Sequence, residues 1–387
     1  MKKLFYVVLI LTAFLGYERD IIAQGESAVV YLLIAPDARA SGMGETGTGL
    51  ADGSAAMFWN PAGLAYLDGI DFSFTHSPWL PQFHLDLSYE YATFYTYLEE
   101  LSGTIAASIT YFNYGEFNRT GEDSPEVIGV FRSYEAALTL GYATKLSSDW
   151  GLGLNFRIFH SRLADKPTGE EKGEGVATSV SFDIGGMWRP QELDLPLIGE
   201  FGDRLSIGAN LSNIGPKIWY IDRAQADPIP TNFRLGFATR IIQDEFNSLT
   251  YTLDFSKLLV TRRDSAAGKS PDEFYEAIFT AWADQSFGEE IRDIVTSMGL
   301  EYWYGTPGDF MFALRAGFFY EDPSFGNRKF VTLGVGARLD MYGVDFSYIT
   351  TDLFKDGENH PLNNTLRFSV TVGWDKTPNP KGFPRGI

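Results

Sequence analysis

Residues 366–374 read LRFSVTVGW. Leu366, Phe368, Val370, Val372 and Trp374 alternate with Arg367, Ser369, Thr371 and Gly373, the period-two pattern of a strand with one apolar and one polar face. The pattern recurs. Val331, Leu333, Val335, Ala337 and Leu339 alternate with Thr332, Gly334, Gly336 and Arg338. Phe310, Phe312, Leu314, Ala316, Phe318 and Tyr320 oppose Met311, Ala313, Arg315 and Gly317. Leu249, Tyr251, Leu253 and Phe255 oppose Thr250, Thr252 and Asp254, and Leu152, Leu154, Phe156 and Ile158 oppose Gly153, Asn155 and Arg157.

Working outward, about fourteen such segments fall near 71–77, 83–97, 102–113, 131–146, 150–163, 175–189, 203–214, 231–242, 247–259, 296–305, 309–320, 328–340, 342–350 and 363–374. A bilayer offers no hydrogen-bond partner to an open sheet edge, so strands that cross it must close into a barrel. The expected fold is therefore all-β, a transmembrane antiparallel barrel. Its connections alternate as outer-membrane barrels require, with short periplasmic turns and long outer loops. Short turns are expected near 97–101, 147–149, 243–246, 305–308 and 340–343, and long loops near 114–130, 164–174, 215–230, 260–295, 321–327 and 351–362. The connection at 190–202 is long for a turn and breaks the rule. Within 260–295, Ser270-Pro271-Asp272-Glu273 reads as an N-cap, a first-turn proline and a capping-box glutamate. Phe274, Ile278 and Trp282 then form one apolar helical stripe, so this loop is expected to carry an extracellular helix.

Composition agrees. Aromatic residues make up 15% of 387 (31 Phe, 20 Tyr and 8 Trp), with 40 Gly and no Cys. Without cysteine, disulfides, thiolate metal sites and cysteine nucleophiles are excluded. The formal charge of −19 argues against a nucleic-acid partner, since phosphate binding needs clustered Lys and Arg. Residues 1–23 read as a secretory signal: Lys2 and Lys3, an apolar run over 4–16, and Ile21-Ile22-Ala23 as the cleavage site. That run is too short to span a bilayer as a helix.

Catalytic constellations are wanting. Gly42-Met43-Gly44-Glu45-Thr46-Gly47 matches GxGxxG literally, yet no βαβ frame surrounds it; the glycines read as tight turns and close packing of a plug against a wall. His76, His84, His160 and His360 lie far apart without ligand spacing, and the acidic pairs Glu99-Glu100 and Glu170-Glu171 read as solvated charge. No enzyme, metal or cofactor is expected. Charges on the polar phase of strands are assigned to the lumen: Asp86, Glu90, Arg157, Asp183, Arg234, Arg240, Asp254, Glu301, Arg315, Arg338, Asp345 and Arg367. An Arg on the lipid face would cost about 2–4 kcal/mol at the midplane. Mixed signs suit a salt-bridged wall holding a plug better than a substrate pathway.

The segment before the first strand carries a resemblance. IAPDARASGMGETG (34–47) followed by FWNPAGLA (58–65) resembles the N-terminal signature of the PorV/PorQ outer-membrane proteins of the type IX secretion system. Asp37, Arg39, Gly42, Gly44, Gly47, Asn60, Pro61 and Gly63 carry the match. The resemblance implies a fourteen-stranded FadL-like barrel in the outer membrane of a Gram-negative bacterium, and a role in protein secretion. Its implied partners are a large outer-membrane translocon barrel, secreted cargo bearing a C-terminal signal domain, and a surface attachment complex, with outer-membrane lipid around it. The domain reading is a signal at 1–23, a plug entering from the periplasmic side at 24–66, a barrel at 67–376 with the helical insertion 260–295, and a tail at 377–387. Partner contacts are expected on the outer loops, with Trp219, Tyr220, Phe274, Ile278 and Trp282 as candidate anchors. The alternative is a FadL-like channel for hydrophobic small molecules, with 24–66 as its hatch.

Overall fold

The computed structural model describes residues 27–120, 125–164, 175–196, 199–263, 270–306, 308–354, 357 and 360–374. The signal, the tail and the pair Glu170-Glu171 lie outside them. The strands are β1 (Ile70–Pro78), β2 (Ser88–Leu98), β3 (Gly103–Thr120), β4 (Val127–Lys145), β5 (Trp150–Arg162), β6 (Val176–Trp188), β7 (Asp194–Leu195), β8 (Gly199–Glu200), β9 (Leu205–Ile214), β10 (Asn232–Gln243), β11 (Asn247–Leu258), β12 (Val295–Tyr304), β13 (Met311–Tyr320), β14 (Lys329–Leu339), β15 (Tyr342–Thr350) and β16 (Thr365–Trp374). Fourteen of them close into one antiparallel barrel, each beside its neighbour in sequence. The ring shuts where β1 pairs with β16, from Ile70 opposite Trp374 to His76 opposite Phe368. Closure leaves no edge within the ring, which is what a membrane demands.

The alternation sets the two faces. In β16, Leu366 is exposed while Arg367 and Ser369 are buried. In β13 and β14, Leu314, Leu333 and Val335 face outward while Arg315 and Thr332 are buried. Residues i and i+2 share a face, so these positions form one apolar band around the outside and one polar lining within.

Connections sort by length as the sequence implied. The hairpin between β14 and β15 pairs Leu339 with Tyr342 across two residues, and Asp340 takes φ 53 there. Between β10 and β11 the Asp244 carboxylate accepts the backbone N–H groups of Phe246 and Asn247 and the Asn247 amide. The long inner connection after β6 carries β7 and β8 as a separate two-residue ladder, Asp194 opposite Glu200. Long loops gather at the other end, the outer one.

Three expectations change. The loop expected over 114–130 is mostly strand: β3 runs 18 residues and β4 runs 19, and their hairpin stands above its neighbours. Conversely, the segment expected from 83 starts only at Ser88, and a short 3-10 turn at Pro81–Phe83 occupies the gap. The helix in the outer insertion, α3, is Phe274–Thr280, counting α1 (Ala38–Ser41) and α2 (Ala56–Trp59) before it. Its N-cap is Glu273, extended at φ −70 and ψ 153, so Ser270 and Pro271 precede the helix. A true capping box lies further on, at Ser286 and Glu289 before α4 (Phe287–Arg292).

Residues 27–69 occupy the lumen and cross it from end to end. At the outer end Ala28 N–H donates to the Pro228 carbonyl of the 215–231 loop at 2.9 Å. At the periplasmic end the Tyr66 hydroxyl donates to the carbonyl of Asp149, in the β4–β5 turn, at 2.7 Å. The plug therefore reaches the outer mouth, beyond the entry from below that chain order alone suggested.

Candidate functional site

The plug's helical pieces are only four to six residues long, so some of its backbone polar groups need partners outside it, and the barrel wall supplies several. Asp254 of β11 accepts the N–H groups of Gly47 at 2.9 Å and Thr48 at 2.8 Å. Thr332 accepts Gly44 N–H at 2.8 Å and Ser369 accepts Ala38 N–H at 3.0 Å. Asn155 and Asn210 donate to the carbonyls of Met57 and Trp59, at 2.7 Å and 3.0 Å. Asn60 works from the plug side: its amide reaches Gly186 O at 3.0 Å, and its carbonyl accepts Ala62 N–H, capping the turn Pro61–Tyr66.

Contact this close needs bare backbone on both sides. Gly44 sits at φ +72 with the backbone of Met298 and Phe318 against it, and a Cβ on Gly317 would overlap Gly44 itself. Likewise a Cβ on Gly153 would collide with Pro61. Gly42 abuts Gly334, Gly47 lies on the Trp59 ring, and Gly63 lies on Ala51. The glycines of GxGxxG thus serve packing.

Arg39 is the centre of the electrostatics. Its guanidinium meets Asp52 at 2.6 Å and Glu301 at 2.7 Å. Glu301 also takes Arg315 at 2.7 Å, Arg315 takes Asp345 at 2.8 Å, and Asp345 takes Arg338 at 2.6 Å. Six groups of alternating sign run from plug to wall, with Glu301 and the Arg315 side chain fully buried. Asp37 caps α1 through Ala40 N–H and accepts Trp59 Nε1–H at 2.7 Å. Elsewhere Arg157 pairs with Asp183 at 2.8 Å, Arg367 reaches Glu45 at 3.2 Å, and Arg234 lies over the Phe58 and Trp59 rings. Arg240 is buried near the periplasmic end.

Two of the charges assigned to the lumen are not there. Asp86 is exposed in the β1–β2 loop. Glu90 lies on the outer phase of β2, because Tyr89, Tyr91 and Tyr95 take the inward phase. It pairs with His76 at 2.7 Å on the outer face. The tyrosines, amphipathic, mask the polarity signal there. Sequence reasoning also missed Asp52, Asn155 and Asn210, whose partners are distant in the chain, and Glu135, buried among Tyr114, Ser161 and Tyr31.

A cavity of about 70 Å3 lies between plug and wall on the periplasmic side. Asp37, Asp52, Asp71, Asp345, Arg39 and Arg338 line it, beside Met43, Leu50 and Trp59. Among the described residues no group of three His, Asp or Glu could hold a metal ion.

On the outer face, Trp219 is exposed, with Arg223 over its ring. Tyr220, expected as a neighbouring anchor, instead turns inward and bonds Ser161 at 2.8 Å. Phe274 and Ile278 are half-buried, while Ala277 and Ala281 form the buried face of α3. Trp282 is 43% exposed and packs edge-on to Phe233. The larger exposed apolar surface is one the stripe did not include: Tyr275 at 58%, Phe279 at 77%, Phe287 at 80% and Ile291 at 53%.

A closed barrel crossing the membrane on strands, filled by a hydrogen-bonded and ion-paired plug, is an outer-membrane protein of the plugged-barrel class. The chain belongs to the family of the type IX secretion system protein PorV, whose profile matches residues 18–264. Comparison with curated proteins returned no matching sequence. Among solved structures, a Pseudomonas aeruginosa FadL homologue is similar at 12% identity, over 88% of this chain and 98% of that one, with a TM-score of 0.49. The P. putida toluene transporter TodX is similar at 11% identity over 87% and 98%, with a TM-score of 0.49. The Ralstonia pickettii toluene transporter TbuX follows at 11% over 88% and 98%, with a TM-score of 0.45.

Proposed function

We propose that this barrel acts by binding and performs no catalysis: it docks to the translocon barrel of the secretion system, takes up cargo by its C-terminal signal domain, and delivers it to the surface attachment complex. The observation that supports this most is the outer insertion. Tyr275, Phe279, Trp282, Phe287 and Ile291 stand exposed on α3, α4 and the turn between them. Monomeric soluble surfaces rarely collect so much apolar area, and such patches mark interaction sites. The insertion is itself firmly seated: Lys257 at the top of β11 pairs with Glu290 at 2.9 Å and with Asp293. A rigid base under an apolar face suits docking.

The filled lumen supports the same reading over a small-molecule channel, since the plug spends its polar groups on the wall. Co-purification from native membranes in gentle detergent tests it. Recovery of a very large barrel or of C-terminal-domain cargo is expected, and recovery of the chain alone would count against it. A Phe279→Glu, Phe287→Glu variant should lose those partners while the barrel stays folded.

A further inference from the structure

The outer end of the plug is clamped in place by what packs on it. Val29 stands at φ 50 and ψ 41, a left-handed conformation that a β-branched residue adopts only where its surroundings force it. Here burial forces it. Val29 is 4% exposed, and with Tyr31 and Leu32 it packs against Ile218 and Ile229 of the 215–231 loop and against Tyr89, Phe112 and Phe159 of the wall. The 3-10 turn that follows, Val30–Leu33, has no side-chain cap. Two bonds complete the hold: Ala28 N–H donates to the Pro228 carbonyl at 2.9 Å, and the Tyr31 hydroxyl donates to the Ala136 carbonyl at 3.0 Å.

The 215–231 loop joins this end to the outer insertion. Its limbs meet at Ile218 and Asp227, which exchange backbone bonds at 2.9 Å. Its foot is fixed to the barrel, where Thr231 Oγ1 donates to the Asn213 carbonyl at 2.9 Å and the Asn213 amide donates to the Pro230 carbonyl at 3.1 Å. Tyr220 ties it to Ser161 of β5 at 2.8 Å. Two clasps then fasten it to the insertion. Lys217 donates to the Pro271 carbonyl at 2.6 Å and pairs with Glu273 at 3.1 Å, and Asp227 pairs with Arg263 at 2.7 Å. Asp227 adjoins Pro228, whose carbonyl holds the plug. The side chains of Arg263, Asp227 and Glu273 are 32%, 39% and 44% exposed, and ion pairs this open to water are weak and screened by salt. A buried, strained end is thus shut in by a loop whose fastening is exposed.

We propose that the 215–231 loop is a strap held closed by the insertion: while Lys217 and Asp227 keep their clasps the plug's outer end stays in the mouth, and displacing the insertion's side of the clasps frees that end. Insertion, strap and plug end stand in series. Anything bound on the insertion biases the plug to the extent that it favours the clasped or the unclasped state, and the strain at Val29 relaxes only in the unclasped one. This goes beyond the docking function proposed above, because the clasps act on the plug whatever protein the insertion meets.

Hydrogen exchange of the full-length protein in detergent tests the strap without any partner. In a Lys217→Ala, Arg263→Ala variant, checked for the heat-modifiable migration of a folded barrel, the Ala28 and Leu32 amides should exchange about tenfold faster. The amides of Gly44, Gly47 and Thr48, which the wall holds, should keep the parent's rates. Raising salt from about 0.05 M to about 1 M should speed Ala28 and Leu32 in the parent and leave the variant unmoved, since only the parent has clasps to screen. A folded variant whose Ala28 and Leu32 stay as protected as in the parent would overturn the strap. Faster exchange spread evenly over the plug would overturn it also, as general loosening. Should the variant fail to fold, the salt series on the parent decides alone, and no change at Ala28 and Leu32 there ends the proposal.

Discussion

Arg39 shows how much one side chain can hold. It is the only plug cation in the six-group chain, and it joins Asp52 of the plug to Glu301 of the wall. Replacing it leaves two carboxylates, those of Asp52 and Glu301, facing each other inside the barrel, and breaking a buried pair from one side costs about 3–5 kcal/mol. Arg39→Leu should therefore lower resistance to urea by that order, measured by the loss of heat-modifiable migration, and Arg39→Lys should recover only part. Gly317 probes the opposite kind of contact. Gly317→Val puts a branched side chain where Gly44 now lies, so the plug must shift; the variant should conduct ions in planar bilayers where the parent is silent. Unchanged conductance would show that the plug tolerates the shift. Arg39 and Gly44 stand inside the family signature, yet their partners Glu301 and Gly317 lie some 260 residues on. No local pattern pairs them.

At the scale of the element, the strands were legible because alternation is a local property of sequence, and it failed where side chains blur it. Tyrosine serves either face, so β2 with Tyr89, Tyr91 and Tyr95 inside gave Glu90 the wrong side. The loop 351–364 makes a prediction of its own. His360 Nδ1 accepts Leu362 N–H at 3.2 Å, which requires an unprotonated nitrogen, and burial, aided by Arg328, holds this histidine below its ordinary value. With the folded value below the unfolded one, its contribution is complete above about pH 6.5 and is lost as pH falls through the folded value. Protease cutting within 351–364 should rise on acidification from pH 7.5 to 5, and His360→Asn should flatten that dependence. The insertion helix offers a contrast: Phe279→Glu sits on a fully outward face, so thermal stability should hold within about 0.5 kcal/mol while partner recovery falls.

For the whole molecule, the ring of fourteen strands and the plug are one cooperative object. Inward wall side chains, among them Asp254, Thr332, Ser369, Asn155, Asn210 and Glu301, bond plug backbone or plug side chains, and buried polar groups left without partners cost about 1–3 kcal/mol each. Removing residues 27–66 from the mature chain should thus yield a barrel that assembles poorly rather than an open pore, read by the yield of heat-modifiable protein in the outer membrane.

The sequence by itself determined the barrel, its strand number and the presence of a plug, because period-two alternation, turn chemistry and the family signature are all local. Only the tertiary structure decided where the plug runs, that the acid–base chain begins at Asp52, that Tyr220 turns inward, and that β3 and β4 rise clear of the wall as a ribbon. Those facts depend on strand stagger and on contacts hundreds of residues apart, which closure of the ring brings together and no stretch of the chain encodes alone.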